Sequence, residues 1–98
     1  MSQYAFCQIV SNINLLIAAG GIQDRKGYTL AEWYSDGFVG WDAALNTYFV
    51  QLDVGDPPAW WIIEPDGIRS FGELCLVIND LFQQPLGVFQ FQNVITQA

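Results

Sequence analysis

The apolar positions of the first twenty residues recur every three or four residues, which is the spacing of one face of an α-helix. The members of this stripe are Phe6, Ile9, Val10, Ile13, Leu16 and Ile17. A strand over residues 4–10 is the alternative, but residues 5–7 break the period of two that a half-buried strand shows. The pattern therefore predicts an amphipathic helix over residues 2–19, closed at the Gly20-Gly21 pair.

Two further helix starts are marked by a capping pattern. Thr29 and Ser70 are each followed three positions later by a glutamate, the spacing at which the two side chains reciprocally bond the first amides of a helix. After Ser70 the apolar residues return to helical spacing, at Leu74, Cys75, Ile78, Leu81 and Phe82. The sequence predicts a short helix after Thr29 and a longer one over residues 71–83, stopped by Pro85.

From residue 46 the period changes to two. Tyr48, Val50, Leu52 and Val54 alternate with Thr47, Phe49, Gln51 and Asp53. Residues 55–58 must turn, because their two prolines cannot donate ladder hydrogen bonds, and the β-prone run 59–63 follows them. This pattern predicts a hairpin over residues 46–64. A second alternation, of Phe89, Phe91 and Ile95 with Gln90, Gln92 and Val94, predicts a last strand over residues 87–96.

The segment between the short helix and the hairpin contains residues that favour turns. Gly37 and Gly40 indicate bends, and Asp42 is placed to cap a turn through residues 43–45. No linker divides the chain. We therefore expect residues 1–98 to form a single α+β domain of two layers. A small antiparallel sheet, made of the hairpin and the C-terminal strand, is packed by helices 2–19 and 71–83.

The amino-acid composition indicates a folded chain and limits the classes of partner that it can bind. The 98 residues are 52% hydrophobic and 13% charged, which excludes a disordered chain. Ten acidic residues oppose three basic ones, Arg25, Lys26 and Arg69, and give a net charge of −7. So few cations cannot neutralise a row of phosphates or bind an anionic membrane surface. We expect neither nucleic acid nor membrane as a partner, and a protein partner should be basic.

The expected compartment is the cytoplasm. The longest uncharged apolar run, residues 15–22, is much shorter than the roughly 20 residues that span a bilayer. A secretory signal needs an early basic residue, and the first one is Arg25. In this compartment Cys7 and Cys75 are expected to be reduced thiols, with Cys75 in the core.

The residue types that catalysis most often uses are missing or poorly placed. The chain contains no histidine, so no histidine-based triad or imidazole metal site exists. Two cysteines 68 positions apart do not form a zinc site. The acidic pairs Asp53 with Asp56 and Glu64 with Asp66 lie in turn-like sequence, where acids usually serve as solvated turn residues. We therefore predict no catalytic residues, no metal and no cofactor.

The adjacent tryptophans Trp60 and Trp61 are the most informative feature for function. Neighbouring strand residues face opposite sides of a sheet, so one ring is predicted in the core and the other exposed. Trp61 shares its face with Ile63, whereas Trp60 shares its face with Ile62 and Glu64, which favours Trp60 as the exposed ring. The competing interpretation is that a helix or loop covers both. The predicted partner-binding surface comprises Trp60, Trp61 and Phe49, rimmed by Asp53, Asp56 and Glu64.

These observations favour a small acidic protein-binding module, acting as an inhibitor, immunity protein, adaptor or subunit by occluding the surface of a basic protein partner. The alternative is a small-molecule site, possibly for carbohydrate, in which a tryptophan stacks on the ligand and a carboxylate orients it. Candidate stacking residues are Trp33, Trp41, Trp60 and Trp61. An enzyme that uses carboxylates or tyrosine as acid and base is a third hypothesis. The sequence leaves the oligomeric state open.

Overall fold

The computed structural model describes residues 2–97 and has four strands and four helices. The strands are β1 (Ser2–Ala5), β2 (Gly37–Asp42), β3 (Thr47–Leu52) and β4 (Trp60–Ile62). The helices are α1 (Phe6–Ile9), α2 (Ile13–Ala19), α3 (Leu30–Asp36) and α4 (Phe71–Leu81). The strands form one antiparallel sheet in the order β1-β2-β3-β4. This architecture confirms the predicted α+β class.

The hairpin formed by β3 and β4 is confirmed. Leu52 pairs with Trp60 and Val50 pairs with Ile62 in antiparallel register. Gly55 adopts a φ of 81° in the connecting turn, a conformation that glycine accepts without steric cost. The turn predicted after β4 is also present, because the Gly67 N–H donates to the Glu64 carbonyl at 3.0 Å. Local turn chemistry and period-two alternation therefore define this half of the sheet.

The helix predicted over residues 2–19 is wrong in its first part. Residues 2–5 are β1, which pairs with β2 from Ser2 opposite Trp41 to Ala5 opposite Phe38. The helical segment that follows is interrupted between α1 and α2 at residues 10–12. Pairing with a strand more than thirty positions away has overridden the helical periodicity of the segment, which is a tertiary effect.

Strand β2 was not predicted, because its glycines were interpreted as bends. A Cβ atom on Gly40 would stand 2.6 Å from the Phe49 ring and would also collide with the Ser2 carbonyl of the neighbouring strand. Gly40 thus permits close packing within the sheet rather than a turn. The turn prediction for Asp42 is confirmed, since its Oδ1 accepts the Leu45 N–H at 3.2 Å.

The strand predicted over residues 87–96 is absent, and this prediction was wrong. The segment makes a single bridge, between Phe91 and Val10, and its first part lies against the α1–α2 junction, while at its end the Thr96 carbonyl accepts the Ser2 hydroxyl of β1. The Asn12 side chain donates to the Val88 carbonyl and accepts the Gln90 N–H, both at 2.9 Å. Because its neighbour is an irregular segment, the alternating residues find no strand with which to form a ladder.

The hydrophobic core lies on one side of the sheet. Core residues from the strands are Val39, Trp41, Tyr48, Val50 and Leu52, and those from the longer helices include Leu30, Trp33, Leu74, Ile78 and Leu81. At its centre the ring of Trp33 lies 4.9 Å from that of Phe6 and 5.5 Å from that of Phe82. The helices therefore cover one face of the sheet, in agreement with the predicted two layers.

The predicted helix caps at Thr29 and Ser70 are both present. The Thr29 and Glu32 side chains bond reciprocally as in a capping box. At α4 the Ser70 hydroxyl accepts the Glu73 N–H at 3.1 Å, while the Glu73 carboxylate accepts the N–H of Arg69. Both sequence patterns therefore mark true helix starts.

Replacing Ser70 with alanine is expected to lower the free energy of unfolding by about 0.5–2 kcal/mol, because the Glu73 N–H loses its acceptor. Ser35→Ala is the matched control, since Ser35 is an exposed residue within α3 and caps nothing. Urea unfolding followed by circular dichroism measures both. Equal stabilities for the two variants would contradict a capping role for Ser70.

Candidate functional site

The face of the sheet that points away from the core carries an aromatic surface. Phe38 lies opposite Gln51, Phe49 opposite Gly40, and Trp61 opposite Gln51 in the strand register. Phe38, Phe49 and Trp61 are all excluded from the core cluster and from the residues packed against it. We call these three residues the outer aromatic face.

Trp61, on the edge strand β4, is the most exposed residue of the outer aromatic face. Half of its surface, 50%, is accessible to solvent, whereas Phe49 beside it is 1% exposed. The Phe49 and Trp61 ring centroids are 6.0 Å apart at an interplanar angle of 42°. Phe49 can be buried to this extent because its ring packs over Gly40, which has no side chain. The exposed indole therefore rests on a buried phenyl ring and belongs to a paired strand.

Trp60 occupies the opposite side of the sheet, and the prediction that it is the more exposed tryptophan was wrong. Its indole N–H donates to the Asp24 Oδ2 atom at 2.9 Å. The Lys26 ammonium lies 4.1 Å from the centre of the Trp60 ring and donates to the Ala59 carbonyl at 2.6 Å. A loop from a distant part of the chain thus covers Trp60, and no alternation within β4 could show this.

Asp24 is a buried, extensively hydrogen-bonded carboxylate that the sequence pattern did not indicate. It is only 5% exposed, and its carboxylate accepts four hydrogen bonds. The donors are the backbone N–H groups of Lys26 and Tyr28 and the indole N–H groups of Trp33 and Trp60, at 2.8–3.0 Å. Every donor belongs to the chain itself, so we assign Asp24 a structural role in joining its loop to α3 and β4.

The three acids of the predicted rim are all exposed. Asp53 follows β3, Asp56 lies in the hairpin turn, and Glu64 lies beyond the other end of β4. Across residues 2–97 the one ion pair joins Arg25 to Asp80 at 2.8 Å, so none of the rim carboxylates has a cationic partner in that part of the chain. The structure brings Phe49 and Trp61 together, sets Trp60 on the other side of the sheet, and leaves the three acids exposed in the segments before and after β4.

Both cysteines and Tyr48 are shielded from solvent to different degrees, and Tyr48 is buried. Cys7 and Cys75 are unpaired and half-buried, so Cys75 is less deeply buried than predicted. Burial raises the pKa of the Cys75 thiol, which disfavours the thiolate. Burial also raises the pKa of Tyr48, against a smaller opposing effect of the hydrogen bond from Gln97. The described residues include no group of three metal-ligating side chains.

Two small cavities open on the surface. One, of about 220 Å³, lies between α2 and α3 and is walled by apolar residues that include Leu16, Ile17 and Leu30. The other, of about 210 Å³, is lined by Ile62, Ile63, Glu64, Gly67 and Ile68. Neither contains a tryptophan, so neither provides the stacking surface that the carbohydrate hypothesis requires.

Comparison of the chain with protein-family models, with curated proteins and with solved structures found no match in any of the three. Among the described residues, no helix has both the length and the apolar character needed to cross a membrane. The fold and the site thus define a small α+β domain that carries an aromatic surface on the uncovered face of its sheet.

Proposed function

We propose that the protein is a binding module that occludes a basic surface of a partner protein with its outer aromatic face. The observation that carries this proposal is the half-exposed Trp61, fixed at the middle of β4 and supported from behind by Phe49. A large aromatic side chain that is rigid before binding loses little conformational freedom in a complex, and such residues dominate the energy of many interfaces.

The distribution of charge supports a basic partner. The net charge is −7, and the exposed Asp53, Asp56 and Glu64 lie in the segments before and after β4 without cationic partners in residues 2–97. Lys26 is engaged with Trp60 on the opposite side of the sheet. An uncompensated acidic rim accelerates encounter with a basic protein and repels an acidic one.

Occlusion suits a domain of this size. A standard interface covers about 800 Å² on each partner, and the accessible surface of the domain is 5244 Å². Blocking a partner requires no reactive group, which agrees with roles as an inhibitor, immunity protein, adaptor or subunit. We place this activity in the cytoplasm, where two unpaired cysteines are the usual state.

The test begins by identifying the partner through the surface itself. A photo-crosslinking phenylalanine analogue is placed at position 61 and, as a control, at position 76, where the exposed Leu76 lies on α4. Both proteins are irradiated in extracts of the source cells. A basic protein crosslinked from position 61 and not from position 76 is the expected result.

Trp61→Ala is then expected to weaken binding of the purified partner by about 30-fold or more, as loss of a central aromatic anchor does. Leu76→Ala should leave the affinity unchanged, and both variants should unfold near the wild-type denaturant concentration, since both side chains are exposed. Charge reversal at Asp56 should mainly slow association. Equal affinities of the Trp61 and Leu76 variants, measured by calorimetry, would contradict the proposal.

A further inference from the structure

The cavity at the C-terminal end of β4 is lined mainly by apolar side chains and includes one acidic residue. Three isoleucines, Ile62, Ile63 and Ile68, and Gly67 line its 210 Å³, and Glu64 is its one ionisable residue. Glu64 and Gly67 close this end of the cavity through the turn in which the Gly67 N–H bonds the Glu64 carbonyl at 3.0 Å. The result is an apolar recess with a carboxylate at its mouth.

This combination fits a long cationic side chain. Lysine and arginine bury their methylene stems along apolar surface while the charged end stays hydrated or paired with a carboxylate. Glu64 is exposed and has no ion-pair partner among residues 2–97. The chain's own cations do not pair with Glu64: Lys26 bonds the Ala59 carbonyl, Arg25 bonds Asp80, and Arg69, which follows the lining residue Ile68, makes no ion pair in residues 2–97. A cation from outside the chain is the complementary occupant, given a net charge of −7.

The recess lies beside the edge strand β4, next to the proposed interface. Its wall residue Ile62 faces the core side of the sheet, and Ile63, two positions after Trp61, continues the side of Trp61 by strand alternation. A partner segment that crosses this edge can cover the indole and place a neighbouring side chain in the recess. A small cluster of this kind, with an aromatic anchor beside a charge pair at the edge of an apolar pocket, is a common arrangement at specific interfaces.

We propose that the recess beside Glu64 receives a lysine or arginine side chain of the partner protein. This proposal rests on the proposed function, since it names the partner chemistry recognised next to Trp61. The methylene stem packs on the three isoleucines, and the cationic group pairs with the Glu64 carboxylate. The recess then selects partners by one basic residue at a fixed distance from the contact with Trp61.

The test uses small probes, so it does not depend on knowing the partner. Amide resonances of the intact protein are followed by NMR during titration with N-acetyl-arginine amide, N-acetyl-lysine amide and the uncharged N-acetyl-norleucine amide. The expected result is saturable shifts confined to residues 61–68 for the two cationic probes and much weaker shifts for norleucine. Glu64→Gln should weaken the cationic probes about tenfold or more.

Asp56→Asn is the matched control, because it removes an exposed carboxylate from the other end of β4 and leaves the recess intact. It should bind the probes as the wild type does. Equal binding of norleucine, unchanged probe affinity in the Glu64 variant, or shifts elsewhere in the protein would each overturn the proposal. If binding of the partner depends on Trp61 but binding of the probes does not depend on Glu64, only this inference fails. If binding of the probes depends on Glu64 but no partner is found whose binding depends on Trp61, the proposed function fails instead.

Discussion

Replacing Asp24 with alanine is expected to destabilise the fold by about 3 kcal/mol or more. Four donors lose their acceptor, and one of them, the indole N–H of Trp33, is fully buried. Each buried donor that is left without a partner costs about 1–3 kcal/mol, and bonds to a charged acceptor lie at the upper end of the range. Urea unfolding followed by far-UV circular dichroism gives the change without relying on tryptophan fluorescence.

Asp80→Ala is the matched control for the Asp24 variant. Asp80 also bonds the loop, through Arg25, but this ion pair is exposed and such pairs contribute about 0–1 kcal/mol. In addition, Trp60→Phe removes one indole donor, so its cost should fall when Asp24 is already alanine. Equal stabilities of the two aspartate variants would show that Asp24 does not join the loop to the core.

Leu74→Ala is expected to lower the free energy of unfolding by about 2–5 kcal/mol, because it removes a fully buried side chain from α4 and leaves a cavity in the core. Leu76→Ala changes the same residue type two positions along the same helix. Leu76 is 54% exposed, so its replacement should change stability by about 0.5 kcal/mol or less. Losses of similar size in the two variants, measured by urea unfolding, would contradict the assigned orientation of α4.

The elements that could be predicted from the sequence are those encoded by neighbouring residues. Ser70 and Thr29 cap helices because their hydroxyls bond amides three positions away, within reach of a local pattern. The hairpin of β3 and β4 follows from the alternation of apolar and polar residues on either side of a proline-containing turn, and the two strands that pair are consecutive in the chain. In each case the residues that make the stabilising contact are close together in the sequence.

The elements that escaped prediction depend on contacts between distant positions. Residues 2–5 form a strand because residues 38–41 are available to pair with them, and helical spacing alone cannot show that partner. Gly40 was interpreted as a bend because its local preference is a turn, whereas its role is to let Phe49 and the Ser2 carbonyl approach. Residues 87–96 alternate like a strand but meet an irregular segment at Asn12.

The candidate site was predicted in part for the same reason. Alternation correctly placed Trp60 and Trp61 on opposite faces, and the acids were correctly placed in turns and at strand ends. Which ring is covered depends on the loop of Asp24 and Lys26, more than thirty positions earlier in the chain. The sequence therefore identified the strand that carries the candidate surface and the face of Phe49, but favoured the wrong tryptophan as the exposed ring.

The contact between residues 9–12 and residues 88–92 has a consequence for synthesis on the ribosome. Ser11 bonds the carbonyl of Gln90, and Gln92 bonds that of Ile9, both at 2.8 Å, so the two ends of the domain close on each other. Phe6, Ile9 and Val10 are fully buried in the finished fold, yet these closing bonds cannot form until the chain has emerged past Gln92. Until then these apolar residues lack their final packing in the nascent chain, and transiently exposed apolar surface of this kind is prone to aggregation.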